Sequence, residues 1–552
     1  MIRIGNASGF YGDRLSAVNE MLTGGPLDVL TGDYLAELTM LILGRDRMKD
    51  PNLGYAKTFL RQLEENLGLA LDRGVRIVAN AGGLNPAGLA DALRELASRL
   101  GLDVQIAHVE GDDLISRGFA GALTANAYLG AWGIAECLRA GADVVVTGRV
   151  TDASLVVGPA AAHFGWARDD WDALAGAVVA GHVIECGAQA TGGNYAFFTE
   201  VDDLDQAGFP IAEIHADGSS VITKHPGSGG AVTWETVTAQ LLYEIAGPAY
   251  LGPDVTARFD TITLAEDGPD RVRINGARGA PPPSTLKVCL NTLAGFRNSS
   301  TFVLCGLDIE AKAALARRQL ERVVGADGIT WTLARTDHPD ADTEETASAL
   351  LHAVIKTPDP KRAKAFSRAC VELALASYPG FTLTAPPSDG TPVGVYRAEF
   401  VPQGDVEQVA VLPDGQRRII EPVASFGTVT AEPVSVPADR FGATRRAPLG
   451  AIAGARSGDK GGDANLGVWG RTEAAFRWLA GELTVERLRE LLPEAKDLDI
   501  ERHVLANLSA INFVIHGLLG EGVAASTRFD PQAKALGEWL RSRVVDIPEV
   551  LL

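Results

Sequence analysis

The sequence predicts an α/β protein: a large layered domain on a mainly parallel sheet with an α+β insertion, then a small C-terminal α+β domain. Three observations predict it. Short apolar runs such as "VRIVAN" and "ADVVVTG" are each followed by a longer helical pattern, as expected of parallel strands buried on both faces. After about residue 195 the runs alternate around turn signals instead. The length, 552 residues, exceeds what one hydrophobic core spans, so two or three domains are expected.

The elements follow in order. "MIRIGNAS" reads as a strand and "DRLSAVNEMLTGG" as a helix stopped by glycine. "LDVLTGDY" is a second strand and "LAELTMLILGRDR" a helix. "VRIVANAGGLN" is a third strand, and "PAGLADALRELASRLG" a helix with Pro86 in its first turn, where the missing N–H costs nothing. "LDVQIAHVEGDD" and "ADVVVTGRVTD" continue the series. Beyond it, "GFPIAEIHADGSSVITKHPG" and "GVYRAEFVPQGDVEQVAVLPDG" read as hairpins, and "VTWETVTAQLLYEI", "IEAKAALARRQLERVVG" and "PKRAKAFSRACVELALASYPG" as helices. A weakly patterned, proline-containing stretch, "AEPVSVPADRFGATRRAPLG", marks a boundary. The expected domains are 1–440, with its parallel-sheet part about 1–195 and its α+β part about 196–440, and 448–552.

A net charge of −20 argues against nucleic acid, whose phosphates call for a basic surface. A small anionic substrate needs only a local group of cations or N–H donors. The five cysteines are scattered, with no C-x-x-C pair, which fits a reducing cytoplasm. The N-terminus lacks a signal-peptide pattern, and "LTMLILG" is far shorter than a membrane span. The expectation is a cytoplasmic homo-oligomer with no nucleic-acid or membrane partner.

Ligands of parallel α/β sheets bind beyond the carboxyl ends of the strands. Those ends carry Asn6 and Ser8, Asp33, Asn80 and Asn85, Glu110 with Asp112 and Asp113, and Thr147, Arg149 and Asp152. Each alone also reads as a cap or turn residue; together they suggest one polar cleft. Asp33 and Glu37 are four apart and would share a helix face, as an acid/base pair or as two acids favoured by the helix dipole. In "GHVIECGAQATGGN", a helix end would bring His182, Glu185 and Cys186 to one face, followed by a glycine turn ending in Asn194. In "KHPGSGGAVTWETV", His225 and a glycine turn including Gly229 precede a helix, where free N–H groups bind anions.

"GARSGDKGGDANLGVWG" (454–470) reads as a strand end, a glycine loop and a second strand. It does not have the phosphate-loop spacing G-x-x-x-x-G-K-[ST]. Its glycines suit close approach to a ligand or to the other domain, and Arg456, Asp459 and Lys460 face that approach. No G-x-G-x-x-G follows the first strand and no G-x-S-x-G occurs, so a nicotinamide enzyme and an α/β-hydrolase are disfavoured.

At these residues the chain resembles a known family. "IGNASGFYGDR", "TGDYLAELTM", "ANAGGLNP", "VVTGRVTDASL", "HVIECGAQATGGN" and "GSGGAVTWETVTAQLLYEIAGPAYLGPDV" resemble, in order, the acyclic terpene utilisation protein AtuA family. "ARSGDKGGDANLGVWG" is similar to that family's ferredoxin-like second domain. The resemblance implies a pathway context of branched acyl-CoA thioesters or related carboxylates and brings no catalytic residues with it.

The residues themselves suggest an acid/base enzyme, a lyase or hydratase, without a redox cofactor. Asp33, Arg149, Asp152 and Glu185 are the expected catalytic residues. Asn6, Ser8, Asn80, Asn194, His225 and Gly229 are expected to orient substrate, and Arg456, Asp459 and Lys460 to meet its anionic end. No cofactor and no metal ligands are predicted, and a CoA thioester is the expected substrate moiety. The rivals are a non-catalytic scaffold for a CoA-thioester pathway and a metal-assisted hydrolase, which would need three converging N/O ligands.

Overall fold

The computed structural model describes residues 1–552 except 120, 430–433, 438 and 440. Part of the expected linker, residues 431–433, 438 and 440, therefore lies outside the described residues. The chain forms two compact units. One comprises 1–291, 396–523 and 532–552; the other comprises 292–395 with 524–531.

The first unit is built on an eleven-stranded sheet. At its centre lie β1 (Ile2–Asn6), β2 (Val29–Gly32), β3 (Arg76–Ala79) and β4 (Ile106–Glu110). A further strand, β5 (Thr124–Ala127), leaves the sheet to pair antiparallel with Val288–Asn291. The last central strand, β6 (Val144–Thr147), inserts between β3 and β4, giving the parallel order β1-β2-β3-β6-β4.

The sheet as a whole is mixed, which corrects the mainly parallel expectation. Pro210–Ile214 pairs antiparallel with β1, followed outward by Ser220–Lys224, Arg271–Asn275 and Thr263–Glu266. Gln408–Val411 pairs antiparallel with β4 and carries Arg417–Ile420 on its outer edge. The hairpin "GFPIAEIHADGSSVITKHPG" thus extends the same sheet, whereas the expected hairpin "GVYRAEFVPQGDVEQVAVLPDG" does not form: Thr391–Pro402 pairs with Thr285–Cys305 in another sheet and only Gln408–Val411 joins this one. A hairpin joins an edge without a crossover helix, and local alternation reveals the hairpin but not the edge it will take.

The central strands are apolar on both faces because helices cover both. Leu30, Ile77, Val144 and Val146 pack against Val18, Met21, Leu22, Leu63, Leu67, Leu93 and Leu96. Val29, Val78 and Val145 turn the other way, onto Ile134, Leu138, Val156, Val179 and Val183. This is the period-two alternation of a doubly covered sheet. Helix Lys57–Asp72, absent from the sequence reading, buries Phe59, Leu63, Leu67 and Ala70 along one stripe. Helix Trp171–Ile184 is buried at every position from Leu174 to Ile184.

The C-terminal residues of this unit make a separate four-stranded antiparallel sheet, ordered Ala453–Lys460, Asp463–Gly470, Ala510–Ile515 and Ile500–Leu505. Helices Glu473–Glu482, Val485–Leu491 and Leu536–Ser542 bury Leu479, Leu488 and Leu540 against its core with Leu466, Val468 and Phe513. The expected glycine loop is instead a hairpin whose strands run to a two-residue turn, Lys460 facing Asp463, with Gly461 at φ 68°. Two of its glycines have steric reasons. A Cβ on Gly454 would lie 2.1 Å from Trp469 Cζ2, and one on Gly458 would lie 2.5 Å from Tyr243 Cε2.

The second unit has its own antiparallel sheet and core. Residues 296–305 of the strand Thr285–Cys305 pair with Ser348–Thr357, which pairs with Ile329–Ala334. Helices Ile309–Val324 and Pro360–Glu372 bury Leu320 and Phe366 against Phe302 and Leu351. None of the expected site residues lies in this unit.

Candidate functional site

The parallel strands end together, and the residues just past them meet the C-terminal hairpin. Asp33 follows β2 and is buried; its Oδ1 accepts from Asn80 Nδ2 at 2.6 Å and from the Leu35 amide at 3.1 Å. Burial raises its pKa well above the usual carboxylate range, and Asp152 adds to the shift against the pull of Arg149.

Arg149 follows β6 and is 3% exposed. Its Nη1 donates to Asp152 Oδ1 at 2.6 Å and to the Leu35 carbonyl at 3.1 Å, and its Cζ lies 4.2 Å from the Tyr128 ring centroid. Burial opposes its charge, but Asp152, Tyr128, Asp33 and Glu37 hold the guanidinium protonated. Lys287 Nζ lies 4.7 Å from the same ring and 3.4 Å from Glu37 Oε1, which also accepts from Tyr128 Oη at 3.0 Å. Burial would raise the Glu37 pKa, but Lys287 and Arg149 outweigh it and pull it to about 2. Glu37 is therefore a fixed anion.

Glu185 stands in the opposite state. It follows the buried helix Trp171–Ile184, and its Oε1 shares a 3.1 Å hydrogen bond with His182 Nδ1. Its Oε2 is buried without a partner. Burial, then Asp152 and Glu244, push its pKa well above the usual range against Lys460 and Arg149. Burial, then Lys460, lower the His182 pKa to about 4, so the imidazole is neutral. Burial, then Glu244, Glu185 and Asp33, raise the Cys186 pKa, which keeps it a thiol.

Glu244 closes the group from the turn after helix Trp234–Leu241, at φ 58°. Its amide donates to Asn465 Oδ1 at 2.7 Å, and its carbonyl accepts from Lys460 Nζ at 2.7 Å. Burial raises its pKa to about 7, against Lys460. On the hairpin, Arg456, Gly458 and Lys460 alternate onto one face. Burial, then Lys287, lower the Lys460 pKa, while Glu244 and Glu37 oppose. Burial, Glu244 and Glu37 raise Asp459 to about 8, and Lys534 Nζ lies 3.9 Å from it. Lys534 also contacts the Tyr243 hydroxyl and lies 3.6 Å from Glu244.

Asp33, Arg149, Asp152, Glu185, Asp459 and Lys460 thus share one electrostatic neighbourhood. The others serve differently. Asn6 Nδ2 donates to the carbonyls of Ile184 at 2.7 Å and Glu185 at 2.9 Å, so it fixes the helix end. Ser8 Oγ donates to the Phe10 carbonyl. Asn80 holds Asp33 and caps the Tyr34 amide. The Asn194 side chain turns to Gln189. His225 packs against Gly24 and Gly25, with Nε2 2.9 Å from the Met21 carbonyl. Gly229 accepts from the Gly208 amide, and a Cβ there would strike the Asp203 carbonyl at 2.1 Å. Asp33 and Glu37 do not share a helix face, because the helix begins at Glu37; their side chains reach the group from a loop and a first turn.

Sequence reasoning missed Tyr128, Glu244, Lys287 and Lys534. Lys287 had a usable signal, a lysine inside the apolar strand "STLKVCL". Glu244 had none, since an acid after an amphipathic helix is ordinary. Among the described residues no three His, Cys, Asp or Glu side chains group as metal ligands, and no helix is long and apolar enough to cross a membrane.

The family model described as acyclic terpene utilisation family protein AtuA matches residues 2–412. The chain belongs to the AtuA family. The family's ferredoxin-like domain model matches residues 447–546. No significant match was found among curated proteins or solved structures. In this AtuA protein the first matched region supplies Asp33, Glu37, Arg149, Glu185, Glu244 and Lys287, and the ferredoxin-like region supplies Arg456, Asp459 and Lys460.

The AtuA architecture also yields a pH prediction away from the reacting groups. Asp112 is 3% exposed; its Oδ2 accepts from the Arg149 amide and from Asn126 Nδ2, both at 2.8 Å. Burial raises its pKa to about 7 against those bonds. The folded state therefore holds this proton more tightly than the unfolded chain. The resulting stability is complete below pH ~4 and is lost as pH rises toward 7. Asp112→Asn keeps an acceptor and removes the charge. Urea midpoints from pH 4 to 8 should fall less steeply in the variant than in the wild type; equal slopes would contradict this.

Proposed function

We propose that this group is a general acid/base site for a lyase or hydratase acting on a branched acyl thioester or carboxylate. The observation that carries the reading is Glu185: a buried carboxyl whose surroundings retain its proton and whose Oε2 has no partner. It stands near Lys460 and near Arg149, whose charge other carboxylates hold. Carboxyl groups whose environments push their pKa values apart are suited to separate acid and base roles.

In elimination of water from a 3-hydroxyacyl substrate, Glu244 takes the proton from the carbon next to the carbonyl. Its pKa of about 7 suits a base at neutral pH. Negative charge then moves onto the carbonyl oxygen, where Arg149 and Lys460 stabilise it. Glu185 gives its proton to the departing hydroxyl, which leaves as water while the carbon–carbon double bond forms. Hydration runs the same steps backwards. Glu37 fixes Lys287 and takes no proton.

The family description supports a place in acyclic terpene utilisation, where such branched acyl groups arise. The test is incubation of the purified protein with branched acyl thioesters and the matching free acids in heavy water. Mass spectrometry should find gain or loss of water, with deuterium entering next to the carbonyl. A panel in which nothing exchanges and nothing is hydrated would overturn the reading and favour a binding or scaffold role.

A further inference from the structure

Arg456 is a buried cation without a counter-ion. It is 5% exposed. Among the described residues no carboxylate lies within ion-pair distance of it. Its Nη1 makes one long contact, 3.5 Å to the Asn194 carbonyl, and its Cζ lies 4.4 Å from the Tyr243 ring centroid. Its Nε and Nη2 are both buried with no hydrogen-bond partner.

These two orphaned donors lie on the same edge of the guanidinium. That edge presents two parallel N–H groups, the fork that a carboxylate accepts with both oxygens. An unpaired buried charge is costly, and side chains around Arg456 hold it in place. Tyr243 supports its face. Gly458, one step along the same face of the strand, leaves room for that ring, since a Cβ there would meet Tyr243 Cε2 at 2.5 Å. Cys186 and Glu244 are its electrostatic neighbours, which puts the guanidinium beside the group that holds Glu185.

We infer that the Nε/Nη2 edge of Arg456 binds a carboxylate of the substrate, so that the site takes a molecule carrying a free carboxylate in addition to the group that reacts. The inference rests on the acid/base reading for the site it serves, but it concerns binding alone. A single planar fork matches the two oxygens of a carboxylate, whereas a phosphate or the phosphates of coenzyme A call for several donors around a tetrahedral group. The commitment is to a carboxylate.

The test titrates the full-length protein calorimetrically with 3-methylbutanoate, its neutral amide and inorganic phosphate. The carboxylate should bind, and the amide and phosphate should bind far more weakly. Arg456→Lys keeps the charge but loses the fork, so carboxylate affinity should fall by at least about tenfold, the loss of one charge-assisted hydrogen bond. Thermal melts report whether the variant folds, and Arg456→Gln, which retains one amide donor, is a second variant should the lysine fail to fold. The titration reads binding alone and gives its answer whether or not turnover is found, which separates this inference from the acid/base reading. Four results would overturn it: no carboxylate binding, equal binding of acid and amide, tighter binding of phosphate, or a variant that loses stability but keeps its affinity.

Discussion

Replacing Glu185 with glutamine should lower kcat/KM on whichever branched substrate turns over by at least about a hundredfold, the usual weight of a positioned proton donor. The amide keeps the size of the side chain and an oxygen for the contact with His182 Nδ1, now 3.1 Å from Glu185 Oε1. It removes the proton that burial retains on the acid. The fold should survive, because a neutral amide replaces a group that is itself held neutral. Thermal melting and steady-state kinetics together decide the matter. A variant with wild-type melting and wild-type rate would remove Glu185 from the chemistry, and the double-bond reaction would need another acid.

Replacing Arg149 with alanine should act on the whole molecule. The guanidinium holds Asp152 at 2.6 Å and the Leu35 carbonyl at 3.1 Å, and it lies against the Tyr128 ring. It is also the positive neighbour of Asp33 and Glu37. Without it, three acids face one another with only lysines, Lys287, Lys460 and Lys534, to offset them among the described residues. Breaking a buried charge pair on one side costs about 3 kcal/mol or more. Urea unfolding should show that loss at neutral pH. Acidification should restore part of it, since protonating the acids removes their repulsion. Arg149→Lys should recover some stability but less activity, because an ammonium cannot serve two directions as a planar fork does. A loss below ~1 kcal/mol would mean that the acids are compensated elsewhere.

The strand ends were legible because they depend on local pattern. Asp33 and Arg149 each follow an apolar run, and parallel strands with helical crossovers end on one side. The sheet's edges were not legible. Whether Pro210–Ile214 adds to β1 or packs elsewhere depends on which edge is free, and nothing within the hairpin states that. The same limit hid Lys287 and Glu244. Glu244 is ordinary beside its sequence neighbours, Lys287 stands out only as a lysine in an apolar strand, and both gain their chemistry from residues far along the chain. The glycines of 454–470 show a third case. Their number reads as a loop open to close approach by a ligand or by the other domain, but the chain there is extended, and Gly454 and Gly458 are small because Trp469 and Tyr243 occupy the space. An abundance of glycine reports missing side chains, and a strand under an aromatic ring needs that as much as a bend does.

The contribution of the C-terminal hairpin has a consequence for how the protein is made. Glu37, Glu185 and Glu244 leave the ribosome long before Arg456, Lys460 and Lys534, because synthesis runs from the N-terminus. Glu37 by then has its cations, Lys287 and Arg149, whereas Glu244 waits for Lys460, the cation that opposes the rise in its pKa. A chain that ends before Arg456 therefore lacks every cation that the hairpin brings to Glu185 and Glu244, and the site is complete only when the last sheet is made.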